Sequence, residues 1–200
     1  ELIADAFIGE VFASERNGNV LENAIASLAI QAGRAADGDM DAAQSVHRRA
    51  VTLLATDSPT DKSGRKPFHW PLEFPEVFPV GFDAVIGNPP FVKATSIGEV
   101  LGSAYRTYLG TTVGRGKKAS YADLCSFFFL RAHSLINLLG GTGLVATNTI
   151  SQGDTREMGL DQLFADGFRP YWVMTDVPWS GVANLVVSLL ATRRENQWFG

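Results

Sequence analysis

The sequence predicts a mixed α/β chain in two parts: a helical segment, then a strand–helix unit built on a parallel pair. Three observations carry this expectation. Residues 1–56 place apolar side chains at helical spacing. Phe82, Ala84, Val85 and Ile86 form an apolar run too short for a helix and closed by Gly87, which suits a buried parallel strand. From Ser120 onward, helical and strand-like stretches alternate, the pattern of a right-handed parallel crossover.

The composition narrows the function classes. A length of 200 residues, 46% of them hydrophobic, suits one soluble globular domain. A net charge of −4 and a pI of about 5.4 exclude nucleic-acid binding through bulk positive charge. Any such contact must come from a local basic patch or from sequence outside this chain. The single cysteine, Cys125, lies in an apolar helical run, so there is no disulfide framework. A buried structural thiol in a reducing cytoplasm is the expectation. The longest apolar stretches are broken by Arg131 and His133, or run only from Val182 to Ala191, too short for a bilayer. No basic region precedes an apolar core at the start, so no signal peptide is read there. With no initiator methionine and its pattern already under way at Glu1, the chain is read as part of a longer polypeptide.

Taken in order, Leu2, Ala6, Ile8, Val11 and Phe12 mark a first helix ending near Asn17-Gly18. Leu21, Ala24, Ile25, Leu28 and Ile30 mark a second, closed by Gly33. A third runs from about Asp41 to Leu54, with Val46, Ala50, Val51 and Leu54 on one face. Ser58 to Lys66 is polar and turn-rich, and with the helices makes residues 1–66 a helical insertion with a linker. Residues 67–200 form the second part.

Pro67, Pro71, Pro75 and Pro79 recur every fourth residue, which predicts an extended segment pinned by the aromatic rings between them. His47, His69 and His133 share no ligand spacing and lack cysteine support, so no metal is implied. Val92 to Ala119 is glycine-rich and reads as loop. It is also the most basic region, holding Lys93, Arg106, Arg115, Lys117 and Lys118. A phosphate loop fails over Gly110–Lys118: its spacing is one residue too long, Lys118 replaces Ser/Thr, and no apolar strand precedes it.

Ser120 and Asp123 form a capping-box-like helix start. The helix carries Leu124, Phe127, Phe128, Leu135, Leu138 and Leu139, and is expected to stop at Gly140-Gly141. Thr142 to Thr149 is the next strand, and Asp154 to Ala165 the next helix, with Gly167 as its stop. Pro170–Thr175 and Leu185–Ala191 read as two strands, antiparallel because only a short loop joins them. That makes about four strands.

The decisive stretch is the exit from the first strand, Gly87-Asn88-Pro89-Pro90-Phe91. Pro89 restricts Asn88 to an extended backbone and Pro90 does the same to Pro89. Neither proline can donate a hydrogen bond, so the exit is a stiff lip bearing an amide, acceptor carbonyls and a ring. In open α/β sheets, ligands bind at this carboxyl end.

Asn88-Pro89-Pro90-Phe91 after an apolar strand resembles the catalytic motif of S-adenosylmethionine-dependent amino-group methyltransferases. With Phe68–Phe78 leading into it, the stretch 67–91 resembles the type IIG-like restriction–modification adenine methyltransferases, and residues 119–192 resemble them more loosely. The resemblance implies the second half of a Rossmann-like class I sheet, using S-adenosylmethionine to methylate adenine N6 in double-stranded DNA. No G-x-G-x-x-G follows any strand here, so this chain holds the methyl-acceptor side, and the main cofactor loop belongs to the remainder of the polypeptide, as does the target-recognition domain. The resemblance places Asn88, Pro89, Pro90 and Phe91 in catalysis, Asp123 and Phe128 at the cofactor, and Phe91 and Trp179 against a flipped base. Lys93, Arg115, Lys117 and Lys118, just after the lip, suit contacts to the DNA backbone. Two alternatives share the motif or the fold: a protein-glutamine methyltransferase, and a non-catalytic interaction remnant.

Overall fold

The computed structural model describes residues 1–14, 18–59, 64–116, 121–179 and 185–195. The chain forms two compact units, Glu1–Pro75 with Gly98–Tyr108, and Glu76–Ile97 with Leu109–Gly200.

The first unit is helical. It comprises α1 (Leu2–Ala13), α2 (Gly18–Ala36), α3 (Met40–Leu54), a single turn α4 (Trp70–Glu73), α5 (Ile97–Leu101, at the boundary between units) and α6 (Ser103–Tyr108). Ala6, Leu28, Val46 and Ala50 form its buried cluster, with Leu2 packed against it. Gly9 lets α1 approach α3 closely: a Cβ there would lie 2.8 Å from Cβ of Leu53. Asp39 caps α3 by accepting from the amides of Asp41 and Ala42, both at 3.0 Å. Arg65 ties the unit together, donating to the carbonyls of Leu54, Asp57 and Leu101 at 3.2, 3.3 and 2.7 Å. Its guanidinium also lies 5.2 Å from the centre of the Phe12 ring.

The second unit carries one four-stranded sheet in the order β1-β2-β4-β3, formed by β1 (Phe82–Gly87), β2 (Ile136–Thr147), β3 (Phe168–Pro178) and β4 (Val186–Arg194). β1 and β2 are parallel, while β4 runs antiparallel to both of its neighbours. Among the described residues the unit also holds α7 (Leu124–His133), α8 (Gly153–Met158) and α9 (Leu160–Ala165). Along β2, Gly140, Thr142, Leu144 and Ala146 are buried and the residues between them half-exposed, so one face of the sheet is covered.

The α/β architecture, the four strands, the parallel β1–α7–β2 unit and the antiparallel β3–β4 pair agree with the sequence reading. Several boundaries do not. Gly18 opens α2 instead of closing α1, and α2 passes through Gly33 to Ala36, with Gly38 at φ +96° beyond its end. Pro71 does not forbid helix, because it sits in the first turn of α4, where no amide donor is needed. The expected loop over 92–119 contains α5, α6, a 3₁₀ turn Ala94–Ser96 and a π turn Leu109–Val113, anchored by buried Ile97 and Leu109.

The helix expected to reach Gly140 ends at His133, with Asp123 at its N-cap position; Ser120 lies outside the described residues. Leu138 and Leu139 belong to β2 and are 72% and 75% exposed. Gly140 is mid-strand for a steric reason: a Cβ there would lie 2.8 Å from the Phe82 carbonyl oxygen of β1. The helix expected over 154–165 is divided at Gly159, which packs against Ser126. β1 is parallel as expected but not buried. It is an edge strand among the described residues, with Asp83 and Ala84 exposed and Ile86 84% exposed.

Candidate active site

The topology brings three chain segments to one end of the sheet. β1 and β2 run in the same direction, so the lip after Gly87 and the turn after Thr147 share that end. β4 begins there, with Val187 opposite Thr147, and β3 finishes there, with Pro178 opposite Val186. In an α/β sheet this is the end where a ligand is expected.

The lip leaves β1 with Asn88 exposed, Pro89 buried, Pro90 exposed and Phe91 half-buried. It is then tied down at once. The amide of Leu124 donates to the Val92 carbonyl at 3.0 Å, and the amide of Ala94 donates to Asp123 Oδ1 at 2.9 Å. The other carboxylate oxygen of Asp123 accepts from the Thr149 hydroxyl at 2.6 Å. The backbone of Asp123 is held as well, its amide donating to Thr155 Oγ1 at 3.0 Å.

Across from the lip stands Trp179, whose amide donates to the Leu185 carbonyl at 2.9 Å. The rings of Phe91 and Trp179 meet edge to face, with centroids 5.9 Å apart and planes at 85°. The contact joins two residues that are far apart in sequence. Phe128 lies on α7 with 40% of its surface exposed, although most of its helix neighbours are buried.

The basic residues separate. Lys93 is exposed beside the lip. Arg115 is engaged with Asp166 through two hydrogen bonds of 3.0 and 2.6 Å, and this pairing holds the Asp166 carboxyl below its usual range. Lys117 and Lys118 lie outside the described residues, as do residues 180–184 after Trp179.

Two reactive side-chain types, a thiol and an imidazole, are structural here. Cys125 is buried, which pushes its thiol up. His133 is buried behind the sheet and held at about pKa 4, chiefly by that burial. It is therefore neutral. Its Nδ1 donates to the Phe129 carbonyl at 2.7 Å, and its Nε2 accepts from Thr192 Oγ1 at 2.6 Å. Among the described residues, no three acidic, histidine or cysteine side chains are grouped to hold a metal.

A family model described as the Eco57I restriction-modification methylase matches residues 13–166, well over half of the chain. The chain belongs to that family. The match takes in Asn88–Phe91, Asp123, Phe128 and Thr149, while Trp179 lies beyond it. Among solved structures, the type IIL restriction-modification enzyme MmeI, determined in complex with DNA, aligns at 26% identity with a TM-score of 0.46. That alignment covers 55% of this chain and 15% of the MmeI chain. No curated protein sequence matches.

Sequence reasoning did not single out Asn148, Thr149, Asp176 or Ser188, which are joined by hydrogen bonds, Asn148 to Asp176 and Ser188, and Thr149 to Asp123. The available signal was positional: a polar Thr-Asn-Thr run leaves a strand at the sheet end where the lip also emerges.

Proposed function

We propose that this methylase chain is the acceptor-side half of a site-specific DNA adenine-N6 methyltransferase that uses S-adenosylmethionine in restriction–modification or phage defence. The observation that carries the reading is the proline-stiffened Asn88–Phe91 lip at the carboxyl end of β1, with the Trp179 ring 5.9 Å from that of Phe91.

The exocyclic amine of adenine is a poor nucleophile because its lone pair is delocalised into the ring. Asn88, through its side-chain oxygen, and Pro89, through its backbone carbonyl, accept the two amino hydrogens and shift electron density onto nitrogen. As preorganised acceptors they stabilise the charge that develops there, and by fixing the amine they align it for transfer. A base inside a duplex cannot reach the lip, so the nucleotide flips out at a cost of about a few kcal/mol. Phe91 offsets part of that cost by stacking, worth about 1–3 kcal/mol per base. The ring of Trp179 contacts Phe91 while the slot is empty, and the entering base replaces that contact with its own. The step requires no strong general base, in keeping with the neutral, buried state of His133.

The bound cofactor supplies an electrophilic methyl group on a sulfonium. The described residues fit only its periphery: the exposed ring of Phe128 offers a stacking face, and Asp123 borders the same helix start with lone pairs beyond the two hydrogen bonds it already accepts. The remaining cofactor contacts come from the other half of the polypeptide, pairing along the open edge of β1 and covering the exposed Ala84 and Ile86. On this reading residues 1–66 are an insertion, residues 67–200 the acceptor half, and the chain is inactive by itself. Lys93, Lys117 and Lys118 hold DNA phosphates, with Arg115 sharing its guanidinium between a phosphate and Asp166. Among the described residues no helix is long and apolar enough to cross a membrane, and a cytoplasmic location suits a DNA substrate.

The test is incubation of the full-length protein with methyl-labelled cofactor and either duplex DNA or a glutamine-bearing protein. Label on adenine N6 is expected, and label on protein alone would overturn the assignment.

A further inference from the structure

The polar turn after β2 touches both walls of the proposed base slot. On one side, Thr149 Oγ1 donates to Asp123 Oδ2 at 2.6 Å, and Asp123 Oδ1 accepts from the Ala94 amide at 2.9 Å, three residues after Phe91. On the other side, Asn148 Nδ2 donates to Asp176 Oδ1 at 2.7 Å, three residues before Trp179. The orientation of that amide is determined by its partners. A carboxylate only accepts, so Nδ2 must face Asp176, which leaves Oδ1 to accept from Ser188 Oγ at 2.7 Å.

Asp176 is an unusual point to hold. Its backbone lies at φ +58°, the left-handed region that non-glycine residues seldom adopt, and the β3–β4 register slips between Met174 and Val177. A bulge of this kind re-aims the residues that follow, here Val177, Pro178 and Trp179. Aspartate is among the few non-glycine residues that enter this region, and the Asn148 hydrogen bond ties the side chain of Asp176 at that point.

From this we infer that Asn148 and Thr149 are positioning residues which together set the width of the base slot. Thr149 acts through Asp123 on the Phe91 wall, and Asn148 acts through Asp176 on the Trp179 wall. Both lie on one 3₁₀ turn spanning Asn148–Ser151 at the end of β2, so the two walls share one reference point. The inference rests on the base-slot reading above.

The Asn148–Asp176 contact can be broken and rebuilt in the full-length protein. Asp176→Asn keeps an oxygen facing Asn148 and suits the left-handed backbone, so single-turnover methylation should stay within about threefold of wild type. Asn148→Asp sets two carboxylates against each other and should slow transfer by about tenfold or more. The double variant Asn148→Asp/Asp176→Asn restores a donor–acceptor pair in reverse and should recover to within about threefold of wild type. Thr149→Val, which removes only the hydroxyl of the other arm, should slow transfer by about tenfold.

A readout independent of methylation is the fluorine resonance of 5-fluorotryptophan at position 179, assigned by its loss in Trp179→Phe. It should shift in Asn148→Asp and return in the double variant. A double variant no better than Asn148→Asp in both measurements would overturn the Asn148 arm. Thr149→Val at wild-type rate would overturn the other. If the wild-type protein transfers no methyl to DNA, the base-slot reading fails, and the fluorine shifts still decide whether Asn148 positions Trp179.

Discussion

Phe91 and Trp179 meet edge to face, their ring centroids 5.9 Å apart, although 87 residues and two crossings of the sheet separate them. Neither ring is needed to fill a core: both are half-buried at the sheet end where the lip emerges. Aromatic rings arranged in this way offer a face and an edge to a flat ligand, and the first prediction follows from that. Phe91→Ala should lose about 1–3 kcal/mol of base stacking, seen as about a 5- to 150-fold loss in kcat/KM. Phe91→Trp should retain most of the activity, because the ring face is what the base meets. Equal losses in the two variants would show that something other than stacking is at work.

The His133 imidazole makes stability depend on pH. Its folded-state pKa of about 4 lies below the ordinary 6.5, so as pH falls the unfolded chain takes up the proton first. Stability is therefore fully present above about pH 6.5 and drains away between there and about pH 4, by up to about 3 kcal/mol. His133→Asn removes the titrating group. Its melting temperature should change less than that of wild type between pH 7 and pH 5, and identical slopes would show that His133 is not buried as described.

Gly140 and Gly143 sit on the same strand and should respond oppositely to alanine. A methyl group at Gly140 would lie 2.8 Å from the Phe82 carbonyl and 2.9 Å from Cβ of Ile136. The entropic gain of replacing a strand glycine is about 0.5–1 kcal/mol, and overpacking costs about 1–3 kcal/mol, so the cost wins at Gly140. At Gly143 the nearest atom is Ile86 Cγ1 at 3.8 Å, ordinary contact, so alanine should be neutral or mildly stabilising. Urea denaturation of the two variants checks the contrast, and equal midpoints would contradict it.

The same glycine shows what could and could not be read from the sequence. The parallel β1–β2 unit and the lip were legible because Phe82–Phe91 encodes them locally: an apolar run, a glycine, and two prolines that restrict their own neighbourhood. Gly140-Gly141 reads locally as a helix stop, but the reason for the pair is tertiary, the close approach of β1 at Gly140 and of the Thr192 carbonyl of β4 at Gly141, which no local pattern reveals. Ile86 and Leu138 were assigned to a buried strand and a helix, since apolar residues ordinarily signal burial. Ile86 is exposed on a strand at the sheet edge among the described residues, and Leu138 where the β1–β2 register slips between the Phe82–Ile136 and Ala84–Gly141 pairs. Asn148 and Asp176 were invisible for a related reason. Their partnership spans 28 positions and depends on a bulge in β3.

Asn88 tests the central claim most directly. Asn88→Ala removes one of the two acceptors for the adenine amine and leaves the proline-stiffened backbone in place. Losing one preorganised charge-stabilising group costs about 100- to 1,000-fold in turnover, or about 3–4 kcal/mol. Affinity for DNA should scarcely change, because phosphate contacts dominate it. The decisive measurement is the single-turnover rate of methyl transfer to DNA by the full-length Asn88→Ala protein, alongside its DNA affinity at fixed salt. A rate reduced by two to three orders of magnitude with DNA binding intact is the predicted result. Transfer at the wild-type rate would reduce Asn88 to a turn residue and contradict the account.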